Sequence, residues 1–218
     1  MRPHAAPGRL LVFARDPVPG QVKTRLIPAL GREAATALYW QLLRDTVAAA
    51  ARVAGVRLEL WVDSTAPQPA LTELARQHHM SLQTQHGPDL GARMATALAR
   101  ATMHGGDAVL IGSDCPEFDV GHLEAAFAAL ADHDVVLGPA TDGGYVLIGT
   151  RAPQPALFHG IPWGTDRVMD ATRRRLRNLG LRWHELPTLR DLDEPADLAH
   201  FPHLAARAGV ATPPGGTA

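Results

Sequence analysis

The feature that most limits what this chain can become is an alternation. Short apolar runs give way to longer helical patterns, and each run ends in a polar loop holding Gly or Pro. Runs at 10–13 (LLVF), 56–62 (VRLELWV), 80–84 (MSLQT), 107–112 (DAVLIG), 135–138 (VVLG) and 146–149 (VLIG) read as strands. Helical patterns occupy 31–53, 70–77 and 92–103, and a further helix runs from an Asp119 N-cap to Leu130. Beyond a turn at 139–145, the spacing predicts a helix over 166–178 stopped by Gly180, and an edge strand at 181–186. Pro195 suits the first turn of a last helix reaching Ala206. This order predicts a mostly parallel sheet covered on both faces, an α/β fold of the open three-layer α/β/α, Rossmann-like kind. Ligands bind beyond the carboxyl ends of such strands, so the polar loops are expected on one rim although they are far apart in sequence.

At 218 residues and 46% hydrophobic content the chain can bury one sizeable core. A single domain is expected over 10–210, with a short N-terminal tail at 1–9 and a disordered tail at 211–218. The net charge of -1 supplies no basic excess to hold a nucleic-acid polymer or an anionic membrane. Cys115 is the only cysteine, which rules out an intrachain disulfide and makes a reducing, cytoplasmic setting the expectation. No signal peptide and no membrane-spanning run is expected. The 11 histidines include no H-E-x-x-H pair and read mostly as surface or structural groups.

The loop after the first run holds the densest chemistry. Pro17 and Pro19 stiffen it, Gly20 lets it turn, and Lys23, Thr24 and Arg25 place two cations and a hydroxyl side by side. It suits a polyphosphate, or else is a solvated basic loop. It is not a Walker A loop, because Val22 stands where that motif needs Gly directly before Lys. Asp114 lies just past the run at 107–112, before Pro116, where it could hold Mg2+ or Mn2+ or cap the next helix. Asp142 precedes Gly143 and Gly144, an ordinary turn that could also admit a substrate beside Tyr145. Asp191 and Asp193 are two apart, so in extended chain both face one side. They could share a cation or start a helix against its dipole. Gln85, Asp89, Gly91 and Arg93 suit a base and ribose edge or a tight strand-to-helix turn. Trp163 could wall a pocket or pack in the core. No G-x-S-x-G elbow occurs and Cys115 has no assignable His partner, so covalent catalysis is disfavoured.

Taken in order, PVPGQVKTRL, GPDLGARM, GSDCPEF, GPATDGGYVLIG, IPWGT and DLDEPADL resemble a bacterial and archaeal family of uncharacterised GT-A-fold proteins. That family is usually placed, as glycosyltransferase-like, in the nucleotide-diphospho-sugar transferase superfamily, and some members carry an arsenosugar-biosynthesis glycosyltransferase label. The likeness runs from Leu10 to about Leu204. A more distant resemblance is to the phospholactate guanylyltransferases, which share a Lys-Ser/Thr-Arg-Leu loop, an acid-Pro turn, an Asp-Gly-Gly turn and a late Asp-x-Asp-x-Pro-x-Asp segment. Carried onto this chain, it implies Lys23 and Arg25 on a triphosphate and Asp114 and Asp193 as ligands of Mg2+ or Mn2+. Ala14, Gly20, Thr24, Gln85, Asp89, Gly91 and Arg93 complete the implied nucleotide site. Asp142, Gly143, Gly144, Tyr145 and Trp163 would face a small-molecule acceptor, and Lys23, Arg25 and Asp114 would be catalytic.

Three functions are compatible with this set. The favoured one joins an NTP to a phosphorylated or acidic small molecule with release of pyrophosphate. A glycosyltransferase using a nucleotide sugar is the alternative. GT-A glycosyltransferases commonly carry Asp-x-Asp after the central strand, where this chain has Ser113-Asp114-Cys115. A non-catalytic nucleotide-binding module is the third. Oligomeric state is open, and a homodimer is compatible with the sequence.

Overall fold

The computed structural model describes residues 7–207. The tail expected at 211–218 therefore lies outside the described residues, as do positions 1–6. The chain opens with β1 (Gly8–Ala14), two residues ahead of the expected start. It then forms a single turn of 3-10 helix (Thr24–Leu26), α1 (Ile27–Leu30), α2 (Arg32–Ala50), β2 (Val56–Val62), α3 (Pro69–Gln77) and β3 (Ser81–Thr84). There follow α4 (Leu90–Thr102), β4 (Ala108–Ile111), α5 (Val120–Ala129), β5 (Val135–Pro139), β6 (Tyr145–Thr150), α6 (Val168–Leu179), β7 (Trp183–Glu185) and α7 (Pro202–Arg207). Two further 3-10 segments, Pro155–Phe158 and Pro195–His200, precede α6 and α7.

The seven strands form one sheet in the order β3-β2-β1-β4-β6-β5-β7. All run parallel except β6, which lies antiparallel between β4 and β5. The connection from β5 to β6 is too short for a crossover, so β6 must return beside its predecessor. The reversal has a useful result. The loops after β1, β2, β3, β4, β5 and β7 all leave from the same edge of the sheet.

Both faces are covered. Leu10, Val12, Leu60 and Val62 point to the side packed by Tyr39, Leu43 and Val47 of α2, Leu71 and Leu74 of α3 and Leu123 of α5. Leu11, Phe13, Trp61 and Leu110 face Met94 and Leu98 of α4 and Met169 and Leu176 of α6. Each such fully buried side chain contributes roughly 1.5–3 kcal/mol. The alternation of VRLELWV would send Glu59 to solvent, yet it is buried. Its carboxylate accepts from Arg9 Nη1 at 2.6 Å and from Trp61 Nε1 at 2.9 Å, so the acid is paired under the α4 layer.

Two helix boundaries and one helix face differ from expectation for clear reasons. The helix expected over 31–53 is α2, which ends at Ala50, and Gly31, at φ 80, separates it from the short α1 that precedes it. The helix expected from Pro195 to Ala206 is a 3-10 turn and a short α-helix. Pro202 lacks an N–H and pushes Phe201 out of helical conformation, to φ -127 and ψ 64. The basic face of α6 is also less free than its run of arginines suggests. Arg173 grips Glu185 of β7 with two bonds of 3.0 and 2.8 Å and so ties the helix to the sheet edge. Among the described residues no helix is long and apolar enough to cross a membrane.

The N-terminus of α5 is as expected, with Asp119 Oδ1 accepting from His122 N at 2.7 Å. The His122 ring tilts against Phe118, with centroids 6.1 Å apart, and its Nε2 is buried without a hydrogen-bond partner. Burial pushes the imidazole pKa below its ordinary 6.5, with Asp119 partly opposing. The unfolded chain then takes up this proton first as pH falls. The stability His122 allows is complete above about pH 6.5 and is lost as pH drops toward the folded value. Melting curves from pH 7.5 to 5 should show a decline that His122→Gln makes shallower.

Candidate active site

The rim at the carboxyl ends of the strands brings four distant segments together. After β1 the chain runs through Pro17 and Pro19 and reaches Lys23 in the left-handed conformation, φ 47 and ψ 43. That backbone is unfavourable for a long side chain and marks a position held by its surroundings. Its stem is buried and its ammonium is ringed by acceptors. Lys23 Nζ donates to Leu192 O at 2.6 Å, and lies 3.1 Å from Asp114 Oδ2 and 3.6 Å from Asp193 Oδ1. Arg25 Nη1 is 2.7 Å from Asp193 Oδ2 and 3.6 Å from Glu194 Oε1. Three acids and two bases, from the loops after β1 and β4 and the segment after β7, thus form one cluster.

Packing explains why Asp191 and Asp193 arrive here. Leu192 between them is fully buried with Leu26, Leu38, Leu42, Leu198 and Phe201. Driving that leucine into the cluster between α2 and the C-terminal segment turns its two acidic neighbours the other way. Leu192 N also bonds Asp114 O at 2.9 Å, which fastens the late segment to the β4 loop. The carboxylate of Asp197 accepts from Asp193 N at 3.0 Å and from Glu194 N at 2.8 Å, fixing the backbone that carries Asp193. Asp197 was not singled out from the sequence, although an acid three residues after Glu194 and two after Pro195 is a helix-start signal. Asp191 is half-buried, and burial together with Asp142 pushes its carboxyl up to about 6.

The site fits a hard divalent cation in a limited sense. Such an ion commonly uses one or two carboxylates and takes its other oxygens from water and substrate phosphates. Asp114 and Asp193 supply two such groups around one point, which the Lys23 ammonium now neutralises. Among the described residues no group of three or more His, Cys, Asp or Glu is placed to hold a metal ion by itself.

Other expected residues lie at the rim in different postures. The Gln85 amide donates to Ala14 O and Trp61 O, both at 3.0 Å, and so clasps the ends of β1 and β2. Asp89 caps α4 through Ala92 N at 2.8 Å, and Arg93 Nε donates to Gly87 O at 3.2 Å. Gly91 is a close-approach position, since a Cβ there would stand 2.6 Å from Trp163 Nε1. Gly20 takes φ 83 and Thr24 is exposed. Beside them, an open cleft of about 250 Å³ is lined by Arg15, Asp16, Val18, Gln21, Asp63 and Ser64. Asp63 and Ser64, in the loop after β2, had not been marked; a polar pair directly following a strand was the available signal.

The Asp-Gly-Gly turn joins the rim from β5. Asp142 Oδ1 accepts from Gly144 N at 2.8 Å and the residue is otherwise exposed. The Tyr145 hydroxyl turns inward to Thr172, and burial pushes its pKa up. Its ring meets Trp163 edge-on at 6.2 Å. Gly143 has φ 86, and a methyl group there would run into the Asp166 carbonyl. Its own carbonyl accepts from Met169 N at 2.9 Å, so the turn is clamped to the start of α6. Gly143→Ala should cost at least about 2 kcal/mol, read as a fall in urea midpoint. Cys115 is buried, its thiol pushed up to about 12 by desolvation, and is not a nucleophile in this state.

A family model described as uncharacterised proteins conserved in bacteria, DUF2064, matches residues 46–165. This chain belongs to the DUF2064 family. The matched stretch holds Asp114 and the Asp-Gly-Gly turn, whereas Lys23 and Asp193 lie outside it. A solved structure matches over more of the chain. It is a Desulfovibrio desulfuricans G20 protein provisionally named a nucleotide-diphospho-sugar transferase, 32% identical over 89% of this chain and 85% of its own, with a TM-score of 0.81. The inositol-1-phosphate CTP transferase of T. maritima is 15% identical over 95% of this chain and 99% of its own, TM-score 0.59. The glucosyl-3-phosphoglycerate synthase of Mycobacterium tuberculosis, solved with Mn2+ and UDP, is 12% identical over 95% and 81%, TM-score 0.55. These last two share the fold alone. No curated protein matches the chain. The DUF2064 chain thus has the nucleotide-diphospho-sugar transferase, GT-A-like fold that its motifs led one to expect.

Proposed function

We propose that this protein is a metal-dependent nucleotidyltransferase that joins an NTP to a phosphorylated or acidic small molecule and releases pyrophosphate. The observation that carries the reading is the buried Lys23 ammonium held between Asp114 and Asp193, with Arg25 on the same acid. In the reaction an acceptor oxyanion forms a bond to the α-phosphorus, and the bond to the α–β bridging oxygen breaks, its electron pair leaving on pyrophosphate. An acceptor that is already anionic needs no general base. Lys23 and Arg25 would lie along the β- and γ-phosphates and stabilise the charge that grows on the leaving group. Asp114 and Asp193 would hold Mg2+ or Mn2+, which when bound offsets phosphate charge and aligns the chain for in-line displacement. Asp142 and the half-exposed Trp163 would border the acceptor.

Glycosyl transfer from a nucleotide sugar is the second reading, favoured by the name given to the Desulfovibrio relative. A coupled pyrophosphate assay over the four NTPs and a panel of phosphorylated and carboxylic acceptors tests the first. Calorimetry with nucleotide sugars tests the second. Turnover with pyrophosphate release is the expected result, and sugar transfer without it would replace this reading with the other. Nucleotide binding indifferent to Mg2+, with no turnover on either panel, would point instead to a binding module.

A further inference from the structure

We propose that Tyr39 and Ser113 are positioning residues that aim the Asp114 carboxylate, through a one-way chain of hydrogen-bond donors starting at the end of β1. The inference rests on the reading of Asp114 as a cation ligand given above.

Tyr39 sits on α2 and is 2% exposed; Ser113, in the β4 loop, is 4% exposed. Arg15 N donates to the Tyr39 hydroxyl oxygen at 2.7 Å. That oxygen lies 3.1 Å from Arg15 O and 3.3 Å from Ser113 Oγ. Ser113 Oγ in turn donates to Asp114 Oδ1 at 3.2 Å. The phenol has one proton and two possible acceptors. When Ser113 gives its proton to the carboxylate, its oxygen is free to accept from Tyr39. With the phenol proton turned to Ser113 rather than to Arg15 O, the chain runs from the Arg15 amide through phenol and hydroxyl to the acid, every donor pointing the same way. Such chains polarise one another, which strengthens the bond to the carboxylate at their end. With Oδ1 taken, Oδ2 is the oxygen turned to Lys23, at 3.1 Å.

The arrangement also links two parts of the site. Arg15 begins the loop that carries Lys23, and Asp114 belongs to the β4 turn. Tyr39 therefore sets the phosphate-binding loop and the cation-binding acid against one another from a third element. Burial and the nearby Asp114 push the phenol pKa upward, so its proton stays in place at any working pH.

Two variants divide positioning from folding. Tyr39→Phe strips Arg15 N of its partner and should lower the melting temperature. Ser113→Ala leaves that bond intact and removes the two links made by the Ser113 hydroxyl. In ligand-free crystals of Ser113→Ala the Asp114 carboxylate should rotate away from Lys23 Nζ. Electron paramagnetic resonance titration of Mn2+ with ATP, CTP, GTP or UTP should show about tenfold weaker Mn2+ uptake for both variants. The double variant should be no worse than either single one, and neither change should matter in an Asp114→Asn background. Ser113→Thr, which keeps a hydroxyl, should restore much of the affinity. If Ser113→Ala keeps the carboxylate where it is and binds Mn2+ like the parent, the inference is overturned. If the parent takes up no Mn2+ with any nucleotide while the carboxylate still rotates in the variant, the positioning stands and the functional reading fails.

Discussion

Lys23→Met is expected to lower turnover by about 10²–10³-fold, the loss typical when one preorganised charge is removed from a developing oxyanion. Methionine keeps the length of the stem and fills the same buried slot, so the change removes charge more than volume. Leu192 O and two carboxylates already hold the ammonium at the rim, so to meet a phosphate it would only exchange a carboxylate for a phosphate oxygen. That preorganisation is what the substitution destroys. Lys23→Arg should not rescue it, since a planar fork cannot replace a compact ammonium in a closed slot. Asp114 and Asp193 then face one another without their shared counter-ion, so the variant should also melt earlier than its parent. Steady-state kinetics and a melting curve check both points. A folded Lys23→Met protein with unaltered turnover would remove the phosphate-binding role of the loop.

If Asp114 holds the cation as proposed, Asp114→Asn should reduce activity at least about a hundredfold, because a ligand worth several kcal/mol is lost while the side chain keeps its shape. The Mg2+ dependence is the discriminating signal. The parent should saturate, and the variant should respond weakly even at high Mg2+. Metal-free nucleotide binding should move the other way. Without the Asp114 charge, Lys23 is less neutralised and the phosphates meet less repulsion, so calorimetry in EDTA should show equal or tighter binding. A binding module would show neither the Mg2+ response nor its loss.

Most of the layer architecture was legible, because strand and helix periods differ and the punctuation between them is sharp. The convergence of Lys23, Asp114 and Asp193 follows from the same fact, since loops after parallel strands share a rim. What could not be read was the direction in which a polar side chain spends its bonds. Gln85 has the chemistry to recognise a base, yet its amide clasps Ala14 and Trp61, and only tertiary contact decides between the two. Tyr145 likewise turns its hydroxyl to Thr172. Tyr39 falls among the apolar positions of the α2 face, and periodicity does not register the contacts of its single oxygen. The antiparallel β6 was available in principle from the brevity of the turn before it.

The pinning of Leu192 against Leu26 has a temporal meaning. Asp193 reaches Lys23 and Arg25 from the far end of the polypeptide, so this contact is among the least local in the molecule and closes at a high loop-entropy cost. During synthesis the sheet from β1 to β4 can assemble while the final segment is still in the ribosome. The acid that completes the cluster arrives only after all seven strands have been made, so catalytic competence would report that the sheet is complete.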